Sequence, residues 1–423
     1  MDSEKRSQIT RDQRIAIIGA GAAGLTAAET LKDRGYTNVV LFERAAQAGG
    51  KCCTIDIAGK NYELGAGVLS ENNRVPLRLA RKYNVPLTQA EFGRSILVDG
   101  VTGQLRPQVN PLKKMQMISQ LMFRYRRLFQ QYPILNRPGH VGVPSELTVP
   151  YTEFSQAEGI EAITDFLELF STGYGYGYLN EVPASYILKY YHWEAVVAFV
   201  KKQLYQFPEG IQHLWTRVAQ EHDVRYNTTI QKIERGERVQ ITTAEGTEVF
   251  DSLIIASPLD EAVQFLDATP EEAELFSKIQ YVDYRTVAVT LSNFPKQSGY
   301  VPSNYSRERA GHPVFWYHRY VNEPIYTFYA LPENNESDEA VTEKVRALVE
   351  VMGGSIEQVH TVRQWKYFPH VTSADMRAGF YDRLESLQGT NHTYYVGEVM
   401  NFSCVGLTAD YAADLVERRT LAA

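Results

Sequence analysis

At 423 residues the chain is longer than one compact core usually holds, so two or three domains are expected. Its 44% hydrophobic and 22% charged residues are those of a globular protein, and a formal net charge of -7 leaves no basic field to gather nucleic acid. Cys52, Cys53 and Cys404 form neither a disulfide framework nor a zinc pattern, the leader is polar, and no run approaches the length of a membrane span; a cytoplasmic protein without metal or integral membrane association is expected.

In chain order, RIAIIG (Arg14 to Gly19) reads as a strand, AAGLTAAETLKDRG as a helix closed by Gly35, and NVVLFE as a second strand ending at Glu43. That is one βαβ unit. Gly19, Gly21 and Gly24 stand at its strand-to-helix junction, with Ala22 and Ala23 between them. Glycine there permits a tight turn and close backbone approach, and leaves helix N–H groups aimed at a pyrophosphate. Glu43, next to Arg44, falls where a ribose hydroxyl needs an acceptor. The chain then runs through Gly49, Gly50 and Lys51 to YELGAG, which carries Gly65 and Ala66.

Residues 77–205 read as mainly helical. In LKKMQMISQLMFRYRRLFQQY, the residues Met115, Ile118, Met122, Tyr125 and Phe129 recur at helical spacing and are expected to pack into the core. Lys113, Lys114, Arg124, Arg126 and Arg127 are expected to form a solvated face, with attraction to anionic lipid as the alternative. The run STGYGYGYLNEVPASYILKY cannot begin as a good helix, because its glycines lower helix propensity. Tyr174, Tyr176 and Tyr178 are read either as the lining of a narrow slot or as packing about a glycine-rich turn. Farther on, RTVAVTLSNF, PVFWYHRY and PIYTFYAL are strand-like and aromatic, which suggests a sheet flooring a pocket. The chain has 27 Tyr against 18 Phe, and such rings suit flat apolar surfaces that keep a polar tip.

FERAAQAGGKC resembles the second fingerprint of the large flavoprotein superfamily that holds amine oxidases, phytoene desaturases and protoporphyrinogen oxidases. The resemblance implies that Gly49, Gly50 and Lys51 run along the ribityl-diphosphate of FAD, Lys51 standing where arginine is usual. VRYNTTIQKIERG resembles the family's second FAD segment, with Ile230 meeting the adenine. TYYVGEVMNF resembles its third, with Gly397 and Glu398 beside the ribityl chain. The implied fold is α/β and α+β. A discontinuous Rossmann-like FAD-binding domain comprises residues 1–76, 206–270 and 386–423, a mostly helical cap 77–205, and a mixed β-sheet substrate domain 271–385.

Within that superfamily, GYGYGYLNEVPASYILKYYHW, SGYVPSNYSRERAGH and WKYFPHVTSADMRAGFY together are similar to the bacterial FAD-dependent polyunsaturated fatty acid double-bond isomerases. The similarity implies that Arg94 and Phe199 gate the pocket and hold the carboxylate of a free fatty acid. It puts Tyr174 over the reacting diene, with Tyr176 and Tyr178 in the same aromatic slot. Two other classes stay open. One is an oxygen-using oxidase or desaturase, against which the strand DYRTVAVTLS offers Arg285 and Thr286 but no lysine. The other is a non-catalytic lipid-binding flavoprotein. The oligomeric state is not legible.

Overall fold

The computed structural model describes residues 8–90, 95–107, 110–333 and 336–420. Its first layer is a parallel sheet in the order Thr393–Tyr395, Ser252–Ile255, Ile15–Ile18, Val39–Phe42, Asp223–Arg225. The central strand Ile15–Ile18 is buried at every position, as a parallel strand covered on both faces must be, and this is why it reads as an unbroken apolar run. Helix Ala22–Asp33 covers it, rich in alanine and leucine and ended by Gly35 at φ +83°. Against this helix packs Val405–Arg419. The sheet thus draws its strands from three separate stretches of chain.

Among the described residues, a second sheet runs in the order Ser355–His370, Gln280–Ser292, Ile325–Ala330, Pro313–Tyr317, Gly299–Tyr300, Ile96–Leu97. Its pairings are antiparallel except the last, which is parallel. Because side chains alternate along a strand, the sheet has two different apolar faces. Val287, Val289, Trp316 and Phe328 pack with Val345 and Val349 of helix Asp338–Val351. Tyr284, Tyr300, Phe315 and Tyr329 gather on the opposite face. The architecture is the expected combination of α/β and α+β parts.

Helices Pro111–Ser119, Arg126–Gln131, Tyr151–Ala157, Glu161–Ser171, Ala184–Tyr190 and Trp193–Val200 lie within residues 77–205, the stretch expected to be a mostly helical cap. One expectation fails in the first of them. Tyr125 and Phe129 are buried, but Met115, Ile118 and Met122 are exposed. Gln120–Tyr125 is a π-helical turn, and its extra residue rotates the positions before it relative to those after it. A single α-helical stripe extrapolated through that turn therefore joins two different faces. Met117 and Leu121 are the residues that pack inward beside Tyr125.

Candidate active site

A nucleotide cradle forms at the carboxyl end of the central parallel strand. Gly19 has φ +106°, and a Cβ on Gly24 would lie 2.0 Å from the Gly19 carbonyl oxygen, so the turn closes only with glycine there. The Gly49 N–H donates to the Ala20 carbonyl at 3.0 Å, and Gly21 bridges Gly49. Bare backbone from two loops is thereby brought face to face: a Cβ on Gly50 would stand 3.3 Å from Gly21 Cα. No side chain caps the helix that starts at Ala22, which leaves its first N–H groups for an anion. Glu43 accepts one backbone N–H on each carboxylate oxygen, from Ala20 and Ala45, both at 2.8 Å. Each oxygen retains a lone pair for a hydroxyl.

Lys51 ends this loop and pairs with Glu398 at 2.5 Å, and the Ser403 hydroxyl donates to the same carboxylate at 3.1 Å. Gly65 lies so close that its Cβ would fall 1.9 Å from the Lys51 carbonyl oxygen, while the Ala66 N–H donates to that oxygen at 3.2 Å. Gly397 has φ +124° with no atom within 4 Å of where a Cβ would project. These glycine surfaces, an acceptor for ribose and a cation beside them fit a bound dinucleotide. Arg44 is exposed and pairs with Glu261 at 3.1 Å, and Ile230 is buried in the adjoining core.

A cavity of about 1080 Å³ runs from Lys51, Gly65 and Ser403 to Phe199 and Val200 in the cap. The second sheet floors it with one face of its rings, Tyr284, Tyr300, Phe315, Tyr329 and Tyr367. Tyr174 hydrogen-bonds Tyr300 hydroxyl to hydroxyl at 3.0 Å, and its ring meets Phe315 edge-on at 5.4 Å. Tyr176 stacks on Tyr367 at 5.6 Å, and Tyr367 on Tyr284 at 5.1 Å. Here the repeated glycines find their reason. A Cβ on Gly175 would lie 2.8 Å from the Tyr284 ring, and the Tyr284 hydroxyl donates to the Gly173 carbonyl at 3.1 Å. The run presses its backbone flat on the floor while its own rings join the wall.

Burial pushes the Tyr174 phenol up to about 12, and those of Tyr176, Tyr284 and Tyr300 rise well above the ordinary value for the same cause. They stay protonated at neutral pH, so they offer ring faces and hydrogen bonds rather than a base. Among the described residues lining the cavity, the charged ones are Lys51, Glu63 and Lys202. Glu63 is already engaged on both oxygens: it accepts from the Thr54 hydroxyl at 2.7 Å, the Ile211 N–H at 3.0 Å and Arg319 Nη1 at 3.0 Å. Burial raises its pKa, opposed by the Arg319 guanidinium.

The structure brings Tyr174, Tyr176, Lys51, Gly65, Ala66 and Phe199 to one cavity. Phe199 stands at the outer end, 37% exposed, with its ring on Phe166 and Phe170. Tyr178 is not brought in: Gly177, at φ +74°, turns the chain, and Tyr178 lies beneath the Arg307 guanidinium instead. Arg94 lies outside the described residues. Arg285 is bound to Asp283 and Asp338. Tyr284, Tyr300, Phe315, Tyr329 and Tyr367 were not singled out from the sequence, though alternation in their strands marks them.

A parallel-sheet nucleotide cradle that opens onto a cavity walled by aromatic rings defines a flavoprotein oxidoreductase. Residues 22–399 match the family model for flavin containing amine oxidoreductase, and the chain belongs to that family. It is an enzyme of this superfamily, and its cofactor is FAD. The crystal structure of the CLA-producing fatty acid isomerase from P. acnes superposes with a TM-score of 0.91 at 32% identity, covering 97% of this chain and 99% of that one. FAD-dependent oxidoreductase dpasF of Apiospora sacchari is 27% identical over 433 residues, 90% of this chain and 87% of the relative. Beta-cyclopiazonate dehydrogenase of Aspergillus flavus is 27% identical over 424 residues, 92% and 88% respectively. Putrescine oxidase shares the fold at 15% identity, with a TM-score of 0.74.

Proposed function

We propose that the enzyme converts a free polyunsaturated fatty acid to a conjugated isomer without net oxidation. The observation that carries the reading is the cavity: long, walled by protonated phenols and other rings, and without a free carboxylate or imidazole among its described lining residues to serve as base. The likeness to the CLA-producing isomerase supports the same substrate class. The division into FAD-binding, cap and substrate domains at residues 1–76, 77–205, 206–270, 271–385 and 386–423 belongs to this proposal.

When bound, FAD supplies a two-electron acceptor that can take up a hydride and give it back. Gly19, Gly21, Ala22, Ala23, Gly24, Gly50 and Lys51 would hold its diphosphate, Glu43 and Arg44 its ribose end, Ile230 its adenine. Gly65, Ala66, Gly397 and Glu398 would lie along the remainder. Removing a hydride from a bis-allylic carbon leaves a cation spread over five carbons. Its return to a terminal carbon of that system yields a conjugated diene.

The chain's own residues hold the geometry and the charge. Tyr174 and Tyr176 present ring faces, each worth about 0.5–2 kcal/mol to a desolvated cation. Their hydroxyls are turned to Tyr300 and to Tyr367 and the Ser403 carbonyl, which fixes the rings. The apolar wall keeps water from the cation. Each methylene of the acid that it buries contributes about 0.8 kcal/mol, so the tail needs few polar contacts. Phe199 would gate the mouth, and Arg94, on the resemblance, would meet the carboxylate.

An oxygen-using oxidase or desaturase is the second reading, favoured by the oxidoreductase and dehydrogenase names of the fungal relatives. An anaerobic assay over a panel of free polyunsaturated acids, following conjugated-diene absorbance, separates the two. The isomerase turns over many times without oxygen. Turnover that halts at one equivalent until air enters belongs to the oxidase, and no reaction with any acid removes the substrate assignment.

A further inference from the structure

The cap helix that sequence periodicity assigned to the core carries a second, uncovered apolar face. Leu112 is 73% exposed and Phe123 78%, with Met115, Ile118 and Met122 exposed between them. Within the α-helix Pro111–Ser119, residues 112, 115 and 118 fall in one arc of about 120°, and Met122 and Phe123 are exposed in the π turn that follows it. The opposite side is already used, by Met117, Leu121 and Tyr125. Across the cavity mouth, helix Trp193–Val200 ends in Phe199 and Val200, the latter 67% exposed. Ile118, Phe199 and Val200 line the cavity while exposed to solvent, so the apolar surface runs without interruption from outside to inside.

Cations stand beside it. Lys114, Lys201 and Lys202 are exposed, and no described residue offers any of them an acidic partner; Lys202 also lines the mouth. Lys113, by contrast, is taken by Asp165, and Arg126 lies over the Trp193 ring at 5.6 Å. A net charge of -7 for the whole chain makes this cluster a local reversal of sign. Among the described residues no helix is long and apolar enough to cross a membrane, so any lipid contact made here is peripheral.

We propose that this rim docks on an anionic lipid bilayer surface, with the cavity mouth turned into the headgroup region. Apolar side chains inserted at the boundary and lysines among anionic headgroups are how an interfacial helix binds. The consequence follows from the continuity of the two surfaces: an amphiphilic acid in the bilayer enters the cavity without crossing water. That delivery role rests on the fatty-acid reading above. The docking itself does not, because it is measured without turnover.

The test is cosedimentation of the full-length, FAD-loaded protein with phosphatidylcholine vesicles, with and without phosphatidylglycerol. The protein pellets with the anionic vesicles and is released by high salt. Leu112→Ser/Met115→Ser/Phe123→Ser alters residues that do not line the cavity, so it keeps its melting temperature and its turnover of dispersed acid but binds vesicles at least tenfold more weakly. Lys114→Glu/Lys201→Glu, which leaves the apolar face untouched, loses the preference for anionic lipid. A parent that stays in the supernatant overturns the proposal, as does a triple variant that binds as well as the parent. So does a dimer of the parent, seen by sedimentation velocity, that the triple variant abolishes while neither pellets: a second copy would then cover the face. Vesicle binding without any conversion of acids upholds docking and removes the substrate assignment instead.

Discussion

Replacing Arg319 with methionine should be among the most damaging single changes outside the FAD cradle. Arg319 and Glu63 form a buried pair, their side chains 3% and 2% exposed. The pair ties together distant parts of the chain: the hairpin Thr54–Glu63, the start of helix Ile211–Ala219, and, through Arg319 Nη2 to the Phe207 carbonyl at 2.6 Å, the loop before it. Removing one partner of such a pair leaves a buried charge uncompensated and costs about 3–5 kcal/mol. At about 2 °C per kcal/mol for a large chain, the melting temperature should fall by about 6–10 °C.

The sign of the pH dependence is fixed by the same geometry. Burial already raises the Glu63 pKa above its ordinary value, and Arg319 opposes that rise. Without Arg319 the pKa climbs further, so the ionised carboxylate is the destabilising species. The deficit is smallest below the unfolded pKa of about 4.3 and grows as pH rises through the folded value. Differential scanning fluorimetry should therefore show a smaller loss at about pH 5 than at about pH 8. Glu63→Gln/Arg319→Met, which removes both charges, should recover most of the loss. A single variant within about 2 °C of the parent at neutral pH, or a deficit that grows on acidification, would refute the reasoning.

Gly65→Ala puts a methyl 1.9 Å from the Lys51 carbonyl oxygen, and overpacking of about 1–3 kcal/mol at the cradle should weaken FAD binding by about 5- to 150-fold; the purified protein would be pale, and full flavin occupancy would contradict the cradle. Tyr174 is read as a ring face, so Tyr174→Phe should keep its conjugating rate within a few fold, whereas Tyr174→Ala should lose about 2- to 30-fold in kcat. Equal losses in the two variants would move the role to the hydroxyl.

What the sequence disclosed was local. The βαβ unit at Arg14 to Glu43 was legible because apolar runs, glycine spacing and the acidic strand end all report on neighbours within thirty residues. The aromatic floor was half legible: the strands were marked, but which rings faced the cavity depended on register. Gly175 shows the limit well. Its need for glycine comes from Tyr284, more than a hundred residues on, and no periodicity connects them. The Glu63 to Arg319 pair spans 256 residues and was invisible for the same reason. Met115, Ile118 and Met122 were misread because a π turn breaks the phase that helical spacing assumes. Tyr178 was grouped with its neighbours in a repeat that the chain does not follow, since Gly177 turns it away.

The most direct test of the account uses linoleate deuterated at its bis-allylic carbon, supplied to the FAD-loaded enzyme under nitrogen without a nicotinamide cofactor. The account predicts many turnovers per enzyme, with deuterium relocated to a terminal carbon of the former pentadiene and none lost to solvent. Conjugated product with the label exchanged into water would contradict it, because a proton, and hence a base that the described cavity wall does not supply, would have carried the step.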